Sequence, residues 1–150
     1  MTVTGEEIVI PALLRAARGS YSRAISESLA EAGFDDLPQN GPFVLGGMAN
    51  FGGSAADMIS GLGVSKQAAS QLIDTLVLRG YLTRDLNPED RRRMTIELTE
   101  RGRAGAAAVR SGIQAIDAEL AAMLTESELA GLRAGLVALA RIKERAQEGA

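Results

Sequence analysis

Apolar residues recur at three- and four-residue steps from Ile10 through Leu14, Ala17, Tyr21, Ile25, Leu29 and Ala32. That period gives a helix one apolar face, and it predicts a first long helix over residues 6–32. Gly33 can cap its C-terminus, and the two acids, two prolines and glycine between Asp35 and Pro42 predict a loop in which Asp35 and Asp36 are solvated. Pro42 suits the first turn of a second helix, Phe43 to Asn50, within which Gly46 and Gly47 each cost about 1 kcal/mol relative to alanine. After the break at Phe51-Gly52-Gly53, Ser54 and Asp57 form a capping box for a short helix ending near Ser60. Gly61-Leu62-Gly63 is a tight turn, and Ser65 caps a further helix, Lys66 to Arg79. Its apolar stripe is Ala69, Leu72, Ile73, Leu76 and Val77, with Lys66, Gln67, Ser70, Gln71 and Asp74 on the other face.

Beyond Gly80 the period changes from helix to strand. Tyr81 to Leu86 reads as a strand, Asn87-Pro88 opens a turn, and Arg91, Arg92 and Arg93 are expected at its exposed tip. Met94, Ile96 and Leu98 then alternate with Thr95 and Glu97 at the two-residue period of a half-buried strand. Thr99 ends that strand and caps an alanine-rich helix reaching Met123, with Val109, Ile113, Ile116, Leu120 and Met123 on one side. Thr125 and Glu128 box the start of a last helix carrying Leu129, Leu132, Leu136 and Leu139. The expected fold is mostly α with a small β-wing: a winged helix-turn-helix over residues 40–99, flanked by a long helix over 1–33 and further long helices over 100–150, which the resemblance given below makes dimerisation helices. All belong to one compact α-rich chain.

Composition removes several function classes. The chain has no cysteine and no histidine, so disulfides, thiolate metal sites, the commonest metal ligand and the commonest general base are gone. No nucleophile–base cluster stands out among the remaining Ser, Thr, Lys and carboxylate groups, and no enzyme activity, cofactor or metal is expected. A run of about 18 apolar residues, which a membrane span needs, is lacking. So is a leader-like start, and a cytoplasmic protein without membrane contact is expected.

The formal charge is −3, an unpromising total for a nucleic-acid binder, but its distribution is uneven. Residues 64–103 hold eight basic and six acidic side chains, while the rest of the chain holds eight and thirteen. An acidic scaffold presenting one basic segment fits a protein that meets phosphate with a single face. In a winged helix-turn-helix the second helix enters the major groove. Lys66, Gln67, Ser70 and Gln71 carry the donors and acceptors that read base edges, and Ser65 sits at a helix N-terminus that suits a phosphate. Three adjacent arginines repel one another, so binding explains them better than stability does; guanidinium groups also suit a narrow minor groove. Asp90 is expected to orient the wing by pairing with Arg92 or Arg93.

The run Asp90-Arg91-Arg92, then Ile96-Glu97-Leu98-Thr99-Glu100-Arg101-Gly102, preceded by Leu76-Val77-Leu78-Arg79-Gly80-Tyr81-Leu82, resembles the signature of MarR-type transcriptional regulators. The resemblance spans roughly Leu13 to Arg145. It implies a homodimer whose first, fifth and sixth helices interlock, with each recognition helix in a major groove and each wing in a minor groove of double-stranded DNA. The Asp-x-Arg part of the wing motif falls on Asp90 and Arg92, making Arg92 the implied wing contact and Arg91 and Arg93 weaker candidates. The second helix departs from the family pattern in its glycines, Gly46, Gly47, Gly52 and Gly53.

Without cysteine or histidine, the thiol-oxidation and metal-sensing branches of the family do not apply. A small aromatic effector fits better, with Tyr21, Phe43, Met48 and Phe51 nearest to line a crevice, although each is more commonly a core residue. The combined expectation is a DNA-binding transcriptional regulator: a ligand-responsive repressor acting as a homodimer on a pseudo-palindromic operator. The alternative is a winged-helix interaction protein that regulates a protein partner through its acidic helical surface.

Overall fold

The computed structural model describes residues 6–87 and 89–149. Side chains of Phe51, Leu86, Asn87 and residues 90–94 lie outside the described set, so the roles expected of Phe51, Asp90, Arg91, Arg92 and Arg93 lie outside it too. In chain order the elements are α1 (Ile10–Glu31), α2 (Gly41–Phe51), α3 (Ala55–Ser60), α4 (Lys66–Leu78), β1 (Leu82–Asn87), β2 (Asp90–Leu98), α5 (Glu100–Met123) and α6 (Glu126–Glu148). They divide into two compact units, Met1–Gln114 and Ala115–Ala150.

The first helix starts at Ile10 rather than at the expected Glu6, because Pro11 occupies its first turn. Proline has no N–H to bond the carbonyl four residues back and its ring collides with that carbonyl, so the helix cannot extend upstream. It ends in a Schellman motif: Gly33, at φ 84°, donates to the Ala30 carbonyl at 3.1 Å, and Phe34 to that of Leu29 at 2.8 Å. Helix α4 ends the same way, with Gly80 at φ 82° donating to Val77 and Tyr81 to Leu76. The Ser54–Asp57 and Thr125–Glu128 capping boxes both form, and Ser65 Oγ accepts from the Ala68 amide at 3.1 Å.

The main core is where α2, α3, α4, β1 and α5 converge. Val44, Leu45, Ala55, Ile59, Leu72, Leu76, Tyr81, Leu82 and Ala106 are buried there, with Ile96 and Leu98 of the wing packed against them. A smaller cluster joins α1 to α5 through Leu29, Ala108 and Val109. The stripe expected along all of α1 is therefore used only near its C-terminus, and Ile10 remains 62% exposed. Helix α5 packs largely through small residues, Gly102, Gly105, Ala106, Ala108 and Gly112, with Val109 the one large side chain among its buried residues. A Cβ on Gly112 would lie 2.8 Å from the Ala24 carbonyl oxygen of α1, so the two backbones touch without intervening side chains. Met123, assigned by periodicity to the apolar side of α5, is 80% exposed.

Strands β1 and β2 form an antiparallel hairpin, registered Leu82↔Leu98 through Leu86↔Met94, then Asn87↔Asp90 after an irregularity. The arginine run therefore lies within β2, in the stretch between Asp90 and Met94 that has no β1 counterpart, not at the turn itself. The apolar contacts of Leu82, Ile96 and Leu98 with the core fix the register near the base. Past Leu86 the register shifts, so that Asn87 stands opposite Asp90.

Candidate nucleic-acid interface

The N-terminal half of α4 presents one uninterrupted polar face. Ser65, Lys66, Gln67, Ser70 and Gln71 are all exposed, while Leu72 and Leu76 on the opposite side are buried. A helix anchored by two buried leucines cannot roll, so these five residues point outward together. The helix N-terminus adds its partial positive charge at the Ser65 cap.

The wing is tied to this helix near its base. Arg84 of β1 donates to Asp74 of α4 at 2.5 Å, an exposed ion pair. Arg84 is thus committed within the protein, and Asp74, polar by periodicity alone, holds the hairpin beside the helix. At the foot of the hairpin, just beyond Leu98, Thr99 joins three elements. Its hydroxyl donates to the Gly80 carbonyl at 2.6 Å and accepts the Gly102 amide at 2.9 Å, while its own amide donates to Tyr81 at 3.1 Å. The expected cap of α5 also fastens the strand to the end of α4.

Asp36 was expected to be solvated, but it anchors the α1–α2 loop. The buried Tyr81 donates its hydroxyl to the Asp36 carboxylate, Arg101 of α5 donates at 3.0 Å and 3.2 Å to its two oxygens, and Arg79 donates to its backbone carbonyl. The Arg101 guanidinium also lies 4.6 Å from the Tyr81 ring centre and 5.4 Å from that of Phe34, a cation–π arrangement. No spacing in the sequence signals a contact between residues 36, 81 and 101; three loops and caps bring them together. The sequence marks Tyr81 only as the start of a strand, yet it precedes β1 and is the centre of the cluster.

This cluster predicts a pH response. The Tyr81 hydroxyl, and secondarily the Arg101 charge, holds the Asp36 carboxyl below its ordinary range, so its stabilisation is present above that range and is lost as pH falls through the lowered value. Burial first, then the Asp36 carboxylate, pushes Tyr81 up to about 12. A phenol raised in the folded state stabilises below its unfolded value near 10 and loses that contribution as pH rises toward about 12. In a phenolate absorbance titration, Tyr81→Phe should remove the late step near pH 12. Persistence of that step in the variant would reject the assignment.

Behind the interface lies a crevice of about 920 Å³, lined mainly by α1, the α1–α2 loop and α2, and closed by Met58 of α3 and by Val109 and Ile113 of α5. Tyr21 and Phe43 line it; Phe43 is half-exposed. Met48 does not, because its place on α2 turns it into the main core. Periodicity missed Arg18, Met58 and the loop residues Phe34 and Asp35, which line the crevice only once α1 and α2 fold together. No group of three or more His, Cys, Asp or Glu able to hold a metal occurs among the described residues, and no helix there is long and apolar enough to cross a membrane.

Comparison with known proteins gives the same architecture. Residues 43–93, which contain most of α2, all of α3, α4 and β1, and the arginine run, match the MarR family. A search of curated proteins finds no match. The fold is similar to that of MepR from S. aureus in a DNA complex, at 22% identity and TM-score 0.72, covering 90% of this chain and 98% of that one. It is also similar to CouR from Rhodococcus jostii RHA1 bound to p-coumaroyl-CoA, at 21% identity and TM-score 0.66, covering 93% and 96%. Apo MarR from E. coli is similar at 24% identity and TM-score 0.62, covering 89% and 98%. The helix-turn-helix and wing thus match the MarR family over residues 43–93, and nearly the whole chain shares its winged-helix fold with these solved proteins.

Proposed function

We propose that the protein binds duplex DNA as a homodimer and represses transcription until a small organic ligand enters the crevice. The observation that carries the DNA reading is the exposed polar face of α4, fixed by buried Leu72 and Leu76 and followed by a wing with three arginines. Ser65, Lys66, Gln67, Ser70 and Gln71 meet the major groove; Arg91, Arg92 and Arg93 of the wing meet the minor groove, and Asp90 sets the wing's geometry. The DNA-bound MepR provides a precedent for this use of the fold.

Two groups of exposed apolar side chains support the homodimer. Val9, Ile10, Leu13 and Leu14 near the start of α1, and Leu132, Leu136, Val137, Leu139 and Ile142 of α6, are each more than one-third exposed in the single chain. Exposed apolar surface on this scale marks an interaction site, and a second copy of the chain supplies its cover. Two-fold symmetry then places the recognition helices about one DNA turn, roughly 34 Å, apart on a pseudo-palindrome.

The ligand reading rests on the crevice, whose aromatic and aliphatic walls carry a few polar groups, Arg18, Ser22 and Asn50 among them. A small aromatic effector fits this lining, and CouR, with its aromatic thioester, shows that a related fold accepts such chemistry. A second reading, regulation of a protein partner without specific DNA binding, draws support from the net charge of −3.

Selection from a random duplex library should recover a palindrome, with affinity falling steeply as salt rises because phosphate neutralisation releases counterions. Recovery of no preferred sequence, together with weak duplex affinity insensitive to salt, would favour the protein-partner reading.

A further inference from the structure

The glycines of α2 have a structural counterpart. Gly47 lies on the crevice wall, and a Cβ there would overlap the sulfur of Met58 and come within 2.9 Å of its Cγ. Gly53, just beyond α2, would place a Cβ 2.5 Å from the Met58 methyl. Together the two glycines form a notch that seats one thioether. A glycine within a helix costs about 1 kcal/mol relative to alanine, so a side chain fitted against bare backbone gives Gly47 a purpose that local helix stability does not.

Met58 belongs to α3, the first helix of the helix-turn-helix, and its side chain faces the crevice while packing against the main core. From α3 only Gly61 to Ser65 lead to α4. Methionine is also the most adaptable of the apolar side chains, unbranched and able to refill irregular space. We propose that Met58 is the displaceable wall of the crevice. Seated on Gly47 and Gly53 it leaves α3 free to take the DNA-binding position, and a ligand that drives it from the notch pushes α3 and, through the short turn, α4 out of that position. This deepens the ligand-responsive reading above and rests on it.

The coupling can be tested without a known effector, because an added methyl on the notch mimics the displacement. With the selected duplex as probe, Gly47→Ala should weaken binding about tenfold, within the range of roughly five- to 150-fold common for allosteric coupling. Gly53→Ala, pushing on the methyl from the loop side, should act in the same direction. Adding Met58→Ala to either should restore affinity to near that of the wild type, since the clashing group is gone. In protein labelled at the methionine methyl groups, the Met58 resonance should move in both glycine variants, with circular dichroism showing an intact fold.

Two folded glycine variants that bind as tightly as the wild type would overturn the proposal, as would double variants that stay as weak as the single ones. Loss of fold in one glycine variant leaves the other to decide. Should both unfold, Met58→Ala alone decides: it should remove the response to p-coumaroyl-CoA or to the free aromatic acid of whichever one releases the wild type from DNA. An unchanged response, or no release of the wild type by either, would overturn the coupling. A wild-type protein that selects no duplex at all refutes the DNA-binding reading, and the coupling falls with it; a wild type that binds while the variants match it refutes the coupling alone.

Discussion

Arg92→Ala should weaken binding to the selected duplex by about 1–3 kcal/mol, roughly five- to 150-fold, while leaving the melting temperature unchanged. The size follows from what the guanidinium would lose. In a narrow minor groove the potential is more negative than over an open phosphate surface, and an inserted arginine gains both charge attraction and donor contacts there. Because Arg92 lies in the part of β2 that has no β1 counterpart, removing its side chain should leave the ladder from Leu82 to Leu86 in place. The charge alone should account for part of the effect: the slope of affinity against salt should become shallower by about one counterion. Arg91→Ala and Arg93→Ala, measured alongside, rank the three arginines. Arg92→Ala binding as tightly as the wild type at matched salt would remove Arg92 from the interface.

Gly102→Ala should destabilise the fold by about 3 kcal/mol or more, at the upper end of overpacking effects. A Cβ there would overlap the Tyr81 carbonyl oxygen and approach Leu98 Cδ2 at 3.1 Å. The carbonyl cannot move away cheaply, because it accepts the Thr99 amide at 3.1 Å and belongs to the residue that holds Asp36. For a chain of this length the loss corresponds to roughly 6–12 °C in melting temperature. Gly105→Ala, one helical turn further on, is the internal control. Its Cβ would meet Leu45 Cδ1 at 3.4 Å and Tyr81 Cε1 at 3.5 Å, ordinary contacts. The gain in helix propensity, about 1 kcal/mol, should then offset most of any repacking. Equal melting temperatures for the two variants would show that the approach of α5 to Tyr81 is not the tight contact described.

Much of the fold was legible because its signals are local. The capping residues Ser54, Ser65, Thr99 and Thr125 act on amides two or three positions away, and Gly33 and Gly80 act on the turn they close, so each can be read from neighbours. The wing's alternation survives at Ile96 and Leu98 for the same reason: a strand with one wet face must repeat at two residues. Periodicity failed where burial depends on a distant partner. It could not tell that Ile10 and Leu14 would stay exposed in one chain while Leu29 is buried, or that α5 would bury glycines and alanines in preference to its larger residues. Met48 and Phe43 share α2 and both read as apolar, yet one turns into the core and the other lines the crevice.

By itself, then, the sequence determined the order of elements, their caps, the basic segment on an acidic chain and the α4 residues that face outward. Each depends on a few adjacent side chains and on backbone geometry that any copy of the segment would adopt. Tertiary structure alone decided what joins those pieces: Asp36 held by Tyr81 and Arg101, Asp74 paired with Arg84, and Met58 seated on Gly47 and Gly53. These contacts link residues from different elements, and neither partner carries a mark of the other. Only the packing of α1, α2 and α5 against the helix-turn-helix brings their atoms within reach.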